Sequence, residues 1–429
     1  RMREMDFDQV QPDKNANWVN LTDNDFDTLL PLASKETKAA KTSRDVKAIF
    51  RKFSLGVATN RDEWVYDFDE SLLTQKIQFF CAEYESERKR WRQFSHQHPQ
   101  QRGDKQVVRD FVKRTIKWTE ELEDHLVKGT DLRYSPLHVH SSAYRPFTQL
   151  QTYYARAITH RLYQQDTFFP IAGMWNNQAI CISGASASKP FQALAVNSLP
   201  GLDFLEKTQT LPLYRYEMGQ QLDNITDWAL RQFTTHYAAE IGKGKAARKI
   251  TKQAIFHYCY AVLHDPLYRE KYAQNLKREF PRIPFYADFW RWADWGAELM
   301  ALHIGYEAVA PFALVRTDEP DTRARAAGLA PKAILKSDPA AGSITLDTET
   351  TLRGVPPEAW AYQLGNRCAI DWVLDQHKEK KPKDPTIREK FDTYRFADYK
   401  EQVADLLARV TTVSVETART TEAMRTAPR

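Results

Sequence analysis

The sequence predicts a mixed α+β protein in which helical segments flank a central strand-rich unit. Three observations carry this reading. Apolar residues recur at helical spacing at Leu72, Leu73, Ile77, Phe80, Cys81 and Tyr84. The stretch from Tyr134 to Tyr216 is rich in Tyr, Phe, Val, Ile and Ser, and Pro136, Pro146, Pro170, Pro190, Pro200 and Pro212 punctuate it. That is the pattern of short strands between turns. Tyr286 to Leu302 is amphipathic at a helical period and dense in tryptophan.

The elements follow in order. The first thirty residues are acidic: Glu4, Asp6, Asp8, Asp13, Asp23, Asp25 and Asp27 face only Arg1, Arg3 and Lys14. Ser34 to Asp45 is a polar linker, and Phe50 to Phe68 reads as extended structure. Ser71 is a fitting N-cap for a helix that runs through Tyr84 towards Trp91. A polar loop from Ser95 to Asp104 separates it from a second helix, Val107 to Leu126. Within the strand-rich unit, Trp175-Asn176-Asn177-Gln178 reads as a turn. Helices are expected again at Asn224–Ala239, Thr251–Leu263, Pro266–Glu279 and Tyr286–Leu302, with a basic loop over Gly242–Lys252. Val315 to Thr351 mixes strands and turns, and Pro357–Gln376 and Ala397–Arg419 read as helices. Four segments result: 1–130, a mostly helical connecting region; 131–222, the strand-rich core; 223–310, helical; and 311–429, mixed. There is no internal repeat and no low-complexity tract.

Composition excludes several classes. With 429 residues the chain can bury a large core without disulfides or metals. Its 11 Trp, 19 Tyr and 22 Phe argue against disorder of the whole. A mean hydropathy of −0.61, with no apolar run near 20 residues, argues against a membrane span. Cys81, Cys181, Cys259 and Cys368 are scattered singly, with no C-x-x-C pair, which fits a reducing cytosol. The acidic, polar start carries no signal-peptide pattern, and its first residue, Arg1, suggests a piece of a longer polypeptide or a processed product. The net charge is only +5, so the distribution of charge matters more than its sum.

Catalytic patterns are scarce. Gly242-Lys243-Gly244-Lys245 resembles the end of a phosphate loop, but Ala246 stands where the magnesium-binding hydroxyl belongs. There is no dinucleotide-binding glycine motif and no G-x-S-x-G elbow. His96/His98 and His138/His140 are H-x-H pairs without a third ligand at motif spacing. They read as surface or hydrogen-bonded histidines, or, for His138/His140, as the start of a metal-dependent nuclease site. From Arg88 to Lys117 ten basic residues face only Asp104 and Asp110, a local balance of +8. Arg88, Arg90, Lys113 and Arg114 could form a phosphate-binding face, or simply a solvated one. Phe289, Trp290, Trp292 and Trp295 read as core.

The middle of the chain is familiar as a string. Ala143-Tyr144-Arg145-Pro146-Phe147, Tyr153-Tyr154, His160-Arg161-Leu162-Tyr163-Gln164, Phe169-Pro170, Ala179 to Gly184, Ser188-Lys189 and Leu211 to Tyr216 run in one register. Ile255 to Tyr258, Asp265-Pro266, Tyr268 to Tyr272 and Phe280 to Pro284 continue it. Thr59-Asn60-Arg61-Asp62 and Leu364-Gly365-Asn366-Arg367 bracket it. Together these resemble the C-terminal specificity region of the type ISP restriction–modification enzymes, which are single-polypeptide and ATP-dependent.

The resemblance implies a target-recognition domain that reads a short asymmetric site in double-stranded DNA. It presents that site to an adenine-N6 methyltransferase that lies outside this chain. The implied partners are DNA and the methyltransferase and motor domains of the parent polypeptide, in a bacterial cytoplasm, with no membrane. S-adenosylmethionine, ATP and Mg are expected only for those other domains. Asp265-Pro266-Leu267-Tyr268 only superficially looks like a methyltransferase motif, and no catalytic residue is expected here. Arg145, Arg161, Lys189 and Arg215 could contact phosphates or guanine, and Asn176 and Asn177 adenine. Tyr144 and Tyr153 lie beside arginines in the same unit, although Tyr144, Pro146 and Phe147 could equally build the core. Asn60 and Arg61 either face the DNA or belong to a turn capped by Asp62. A helical scaffold that docks the other domains, with little DNA affinity, is the alternative.

Overall fold

Helix formation near the start is set by an aspartate. The Asp69 carboxylate accepts a hydrogen bond from the Leu72 amide at 2.7 Å and caps a 28-residue helix, Glu70–Gln97. The cap is therefore two residues before Ser71, because Asp69 alone has the extended backbone that a cap requires. Leu73, Ile77, Phe80, Cys81, Tyr84 and Trp91 form its buried stripe. The computed structural model describes residues 24–36, 46–171, 175–239, 248–391 and 393–429. The acidic run up to Asp23, most of the polar linker and the Gly242–Lys245 motif lie outside the described residues.

In chain order, β1 (Leu30–Pro31) and β2 (Ser54–Leu55) precede α1 (Asp62–Val65), β3 (Tyr66–Asp67), α2 (Glu70–Gln97), α3 (Lys105–Phe111) and α4 (Glu120–Lys128). The centre holds β4 (Val139–Arg145), β5 (Thr148–Tyr153), β6 (Ala179–Ile182), β7 (Ala193–Val196), β8 (Leu199–Pro200), β9 (Gln209–Pro212), β10 (Tyr214–Glu217) and β11 (Gln220–Asp223). Then come α5 (Asp227–His236), α6 (Lys252–Val262), α7 (Pro266–Lys271), α8 (Ala273–Arg278), β12 (Arg282–Ile283) and α9 (Phe289–Ile304). The chain closes with β13 (Val315–Asp318), α10 (Thr322–Ala326), β14 (Ala333–Asp338), β15 (Ser343–Asp347), β16 (Thr350–Arg353), α11 (Pro357–Ala361), β17 (Gln363–Leu364), β18 (Arg367–Cys368), α12 (Ala369–Gln376), α13 (Pro385–Lys390) and α14 (Phe396–Arg425).

The architecture is mixed α+β, with three four-stranded sheets among the described residues. Their orders are β2-β9-β6-β7, β3-β5-β4-β8 and β13-β16-β15-β14. The first two are stitched where Val57 bridges Gly201. The chains pass so closely there that a Cβ on Gly56 would sit 2.3 Å from the Gly201 carbonyl oxygen, so only glycine fits. Strand β6 is buried on both faces. Ile180 and Ile182 enter a core built with α5 to α9, while Ala179 and Cys181 enter a second one with α11, α12 and α14. The period of two puts alternate residues in different cores. A third core joins α2, α3 and α4 to β5 through Leu150 and Tyr153.

Three of these expected helices need adjustment. The single helix over Val107–Leu126 is two, because Val112, Ile116 and Trp118 turn into the third core and the Trp118 indole donates to the Lys113 carbonyl at 2.9 Å. Pro266–Glu279 is likewise two short helices, α7 and α8. Pro357–Gln376 contains the β17–β18 hairpin between α11 and α12, turned at Gly365 with φ +72°. Phe289 and Trp292 are core residues as expected, packed where Gly296 lets α9 approach α6; a Cβ there would lie 1.8 Å from the His257 carbonyl oxygen.

Candidate nucleic-acid interface

The cleft of interest forms where the segment after β2 passes the end of β4. Lys76, on the buried face of α2, fixes the floor. Its amine donates to the carbonyls of Glu63 (2.7 Å) and Tyr66 (2.8 Å) and pairs with Asp67 at 2.8 Å. Burial pulls this amine's pKa below its ordinary value, and Asp67 offsets only part of that. The α1–β3 corner is thereby held on α2. Above it, Asn60, Asp62, Tyr144, Arg145 and Asp203 line a cleft of about 250 Å³.

Within this cleft the Tyr144 hydroxyl donates to the Asp62 carboxylate at 3.2 Å. Burial pushes the phenol up to about 12, and the Arg145 charge opposes that. The Arg145 guanidinium lies 4.2 Å from the centre of the Tyr144 ring and donates to the Tyr144 carbonyl at 2.7 Å. No carboxylate among the described residues pairs with it. Asn60 is exposed in the left-handed backbone region, φ +54°, a conformation asparagine tolerates. Arg161 pairs with the segment that lines the cleft only through its backbone, which exchanges two hydrogen bonds with Ala58, at 3.0 and 2.9 Å. Its side chain is exposed. Asn60, Tyr144 and Arg145, from two segments distant in sequence, thus converge.

Other expected contacts are elsewhere. Arg61 is buried, 4% exposed, against Phe80; its Nη2 donates to Thr119 at 2.5 Å, and its Nε and Nη1 have no partner. Desolvation lowers its pKa to about 10, so it stays charged at neutral pH. Its side chain faces the interior. Tyr153 is a core residue whose hydroxyl accepts from the Ser135 amide at 3.0 Å. Asn177 is buried too, and its amide ties Phe168 and Tyr214 together with bonds of 2.9 Å. Neither side chain is open to a duplex; both are internal fastenings.

Four of the ten cations of the basic stretch are paired with acids just outside it. Arg88 forks onto Glu85 and reaches Asp131, and Arg90 pairs with Glu87 and covers Phe111. Lys105 meets Glu120, and Arg109 meets Glu123. The signal was present in the sequence, since Glu85 and Glu87 each lie three residues before their arginine. Lys113 and Arg114 remain exposed with no carboxylate partner among the described residues. Asn176 is exposed beside the β10–β11 ribbon, its carbonyl accepting from Gln221 at 3.3 Å. Lys189 lies 5.7 Å from the Trp372 ring centre, and Arg215 is paired with Glu217. His138 meets the Tyr153 hydroxyl at 3.3 Å, and His140 stacks on Trp175 at 4.5 Å. No group of three His, Cys, Asp or Glu side chains among the described residues could hold a metal ion.

Two features were not anticipated. The β10–β11 ribbon turns at Met218-Gly219, with φ of +50° and +76°, a type I′ geometry that normally takes Asn or Gly. Met218 is fully exposed at its tip. The third sheet and its loop carry Arg323, Lys332, Lys336 and Arg353, all exposed and without a carboxylate partner among the described residues, beside exposed Val315, Leu329 and Ile334. These cations are spread over thirty positions, so no local run betrays them.

Comparison with known proteins adds the family context. Residues 48–406 match the family described as the Type ISP C-terminal specificity domain. A cryo-electron microscopy structure of the DrdV–DNA complex matches 99% of this chain at 48% identity, with a TM-score of 0.86. A nuclease-deletion mutant of the Type ISP enzyme LlaGI, in complex with a DNA substrate mimic, matches 100% of the chain at 24% identity, TM-score 0.79. The ATP-dependent Type ISP enzyme LlaBIII bound to DNA matches 96% at 22% identity, TM-score 0.74. The chain spans 41%, 37% and 25% of those three polypeptides. No curated protein matches it. No helix among the described residues is long and apolar enough to cross a membrane.

Proposed function

The chain belongs to the Type ISP C-terminal specificity domain family, and we propose that it reads a short asymmetric sequence in double-stranded DNA for an adenine-N6 methyltransferase carried by the same parent polypeptide. The observation that carries this reading is the family match over residues 48–406, joined to the convergence of Asn60, Tyr144 and Arg145 on one cleft, with the Arg161 backbone paired to Ala58 beside it. The relatives at 48% and 24% identity are complexes with DNA or its mimic.

The division of labour follows from chemistry. Arg145 is held over the Tyr144 ring, so little side-chain entropy is lost when it meets a phosphate or a guanine edge. Arg161 and Arg114 supply phosphate contacts that set position without sequence information. Asn60 offers an amide to a base edge or sugar. The β10–β11 ribbon has the width for a major groove, and Met218 supplies an apolar tip. Methylation, ATP hydrolysis and cleavage, with S-adenosylmethionine, ATP and Mg, belong to other parts of the parent polypeptide, in a bacterial cytoplasm.

A second reading rests on a specific observation. Arg88 and Arg90 are satisfied by Glu85, Asp131 and Glu87, so that helix face suits docking of neighbouring domains as well as DNA. Fluorescence anisotropy with a labelled duplex separates the two. The recognition reading expects Arg145→Ala plus Arg161→Ala to weaken binding by at least about tenfold. Unchanged affinity would favour the scaffold.

A further inference from the structure

We propose that a lysine ridge between α12 and α13, over Lys378–Lys383 and prolonged by Arg367 and Lys189, grips the phosphates of the duplex that flanks the sequence read at the Asn60–Arg145 cleft; this rests on the recognition reading above. From Lys378 to Lys383 four lysines face one glutamate, and all four are exposed. Lys381 and Lys383 have no carboxylate partner among the described residues. Lys378, Lys380 and Arg367 share a single acid, Asp375. Arg367 reaches it at 3.0 Å, but the two lysines stop at 3.7 and 4.0 Å, beyond hydrogen-bond distance. Their side chains are 49% and 64% exposed, and pairs of that kind are weak. Arg367 and Lys189 both lie near the Trp372 ring, 5.1 and 5.7 Å from its centre, which brings Lys189 from a distant loop to the same group.

The ridge is fastened beside the cleft. Glu63, on α1, accepts from the Lys383 and Asp384 amides, both at 2.8 Å, and the Asp384 carboxylate accepts from the Trp64 indole at 2.8 Å. Asp62, the residue before Glu63, is the carboxylate that holds Tyr144 in the cleft. At the other end Glu379 accepts from the Phe396 amide at 2.9 Å. The acids of the segment, Glu379 and Asp384, are thus committed to neutral donors, and the lysine amines stay available. Because both ends are tied down, little chain entropy is lost when the ridge meets a partner. From Lys378 to Lys383 the chain reaches at most about 17 Å, a length over which one DNA strand presents about five phosphates. A row of unpaired lysines of that length matches a phosphate backbone in charge and in spacing. Such contacts set position and add affinity without reading bases.

The test is fluorescence anisotropy of the chain with a labelled duplex several helical turns long, over a series of salt concentrations, beside selection from a randomised duplex pool. Lys378→Gln, Lys380→Gln, Lys381→Gln and Lys383→Gln combined should weaken binding at least about tenfold and lower the slope of log affinity against log salt by about 2–4. The motif enriched from the pool should stay that of the parent, which also shows that the variant is folded. The same four positions changed to Arg keep their charge and should bind within about threefold of the parent. A parental slope in the glutamine variant would overturn the ridge, leave the recognition reading in place and assign these lysines to an acidic face of a neighbouring domain. An equal loss in the arginine variant, or a changed motif, would overturn it as well. A parent chain that binds no duplex at any salt would remove the recognition reading itself, and the ridge with it.

Discussion

The Tyr144 hydroxyl donates to the Asp62 carboxylate at 3.2 Å, tying residues 82 positions apart across the cleft. The other Asp62 oxygen accepts from the Thr59 hydroxyl, so one carboxylate fixes both walls. Asp62→Ala should cost about 1–3 kcal/mol, because it leaves two donors unsatisfied. Tyr144→Phe should cost only about 1 kcal/mol, since the ring that carries Arg145 stays. Thermal denaturation gives the stability change. Duplex affinity should stay within about twofold for Tyr144→Phe and fall clearly for Tyr144→Ala.

Salt dependence sorts the cations. Replacing Arg145, Arg161 or Arg114 by Ala should lower the slope of log affinity against log salt by about 1 each. Arg88→Ala should leave the slope intact and cost at most about 1 kcal/mol, since its partners are Glu85 and Asp131 on a partly exposed surface. Equal slopes for all four variants would contradict the assignment.

Arg61 is the sharpest departure from expectation. Two of its nitrogens lack partners although it is 4% exposed. Arg61→Met should therefore be as stable as the parent or more so, as replacement of a buried charge by an apolar side chain often is. DNA affinity should not change. A loss of affinity with stability preserved would return Arg61 to the DNA-contacting set.

The pH dependence has a definite sign. The Tyr260 hydroxyl lies 2.6 Å from His303 Nδ1, and His303 Nε2 lies 2.8 Å from Thr417 Oγ1. The Thr417 hydrogen is committed to the Val413 carbonyl at 2.7 Å, so Nε2 donates, Nδ1 accepts and the ring is neutral. Burial lowers its pKa to about 3 from 6.5, with Arg269 adding to the effect. Between those values the unfolded chain binds the proton that the folded chain refuses. The contribution of His303 is thus complete above about pH 6.5 and shrinks as pH falls towards 3, by several kcal/mol in all. His303→Gln should flatten the fall of denaturation midpoint with pH in that window. An unaltered pH profile would exclude this role.

Met218 offers a separate check. Asn fits the left-handed turn position better, so Met218→Asn should hold or raise thermal stability while lowering duplex affinity. An unchanged affinity would make the exposed tip merely a turn.

What was legible in the sequence was local. The α2 stripe from Leu73 to Tyr84 and the Thr251 cap of α6 depend on residues a turn apart, and both were readable. The pairing of Arg88 with Glu85 was readable too but was outweighed by a count of charges. The burial of Arg61 was not, because Phe80 and Thr119 reach it from two other helices or their ends. Asn177 sat on an expected turn, yet its amide is consumed by Phe168 and by Tyr214, 37 positions away. The meeting of Asn60 with Tyr144 and Arg145 depends on the Val57–Gly201 stitch between two sheets, which no local pattern encodes.

The most direct measurement is selection of this chain on a pool of randomised duplex DNA at two salt concentrations, followed by sequencing of the retained fraction. A self-sufficient recognition domain should enrich one short asymmetric motif at both salts. Retention without enrichment that vanishes at the higher salt, or no retention at all, would contradict the account and leave the scaffold reading.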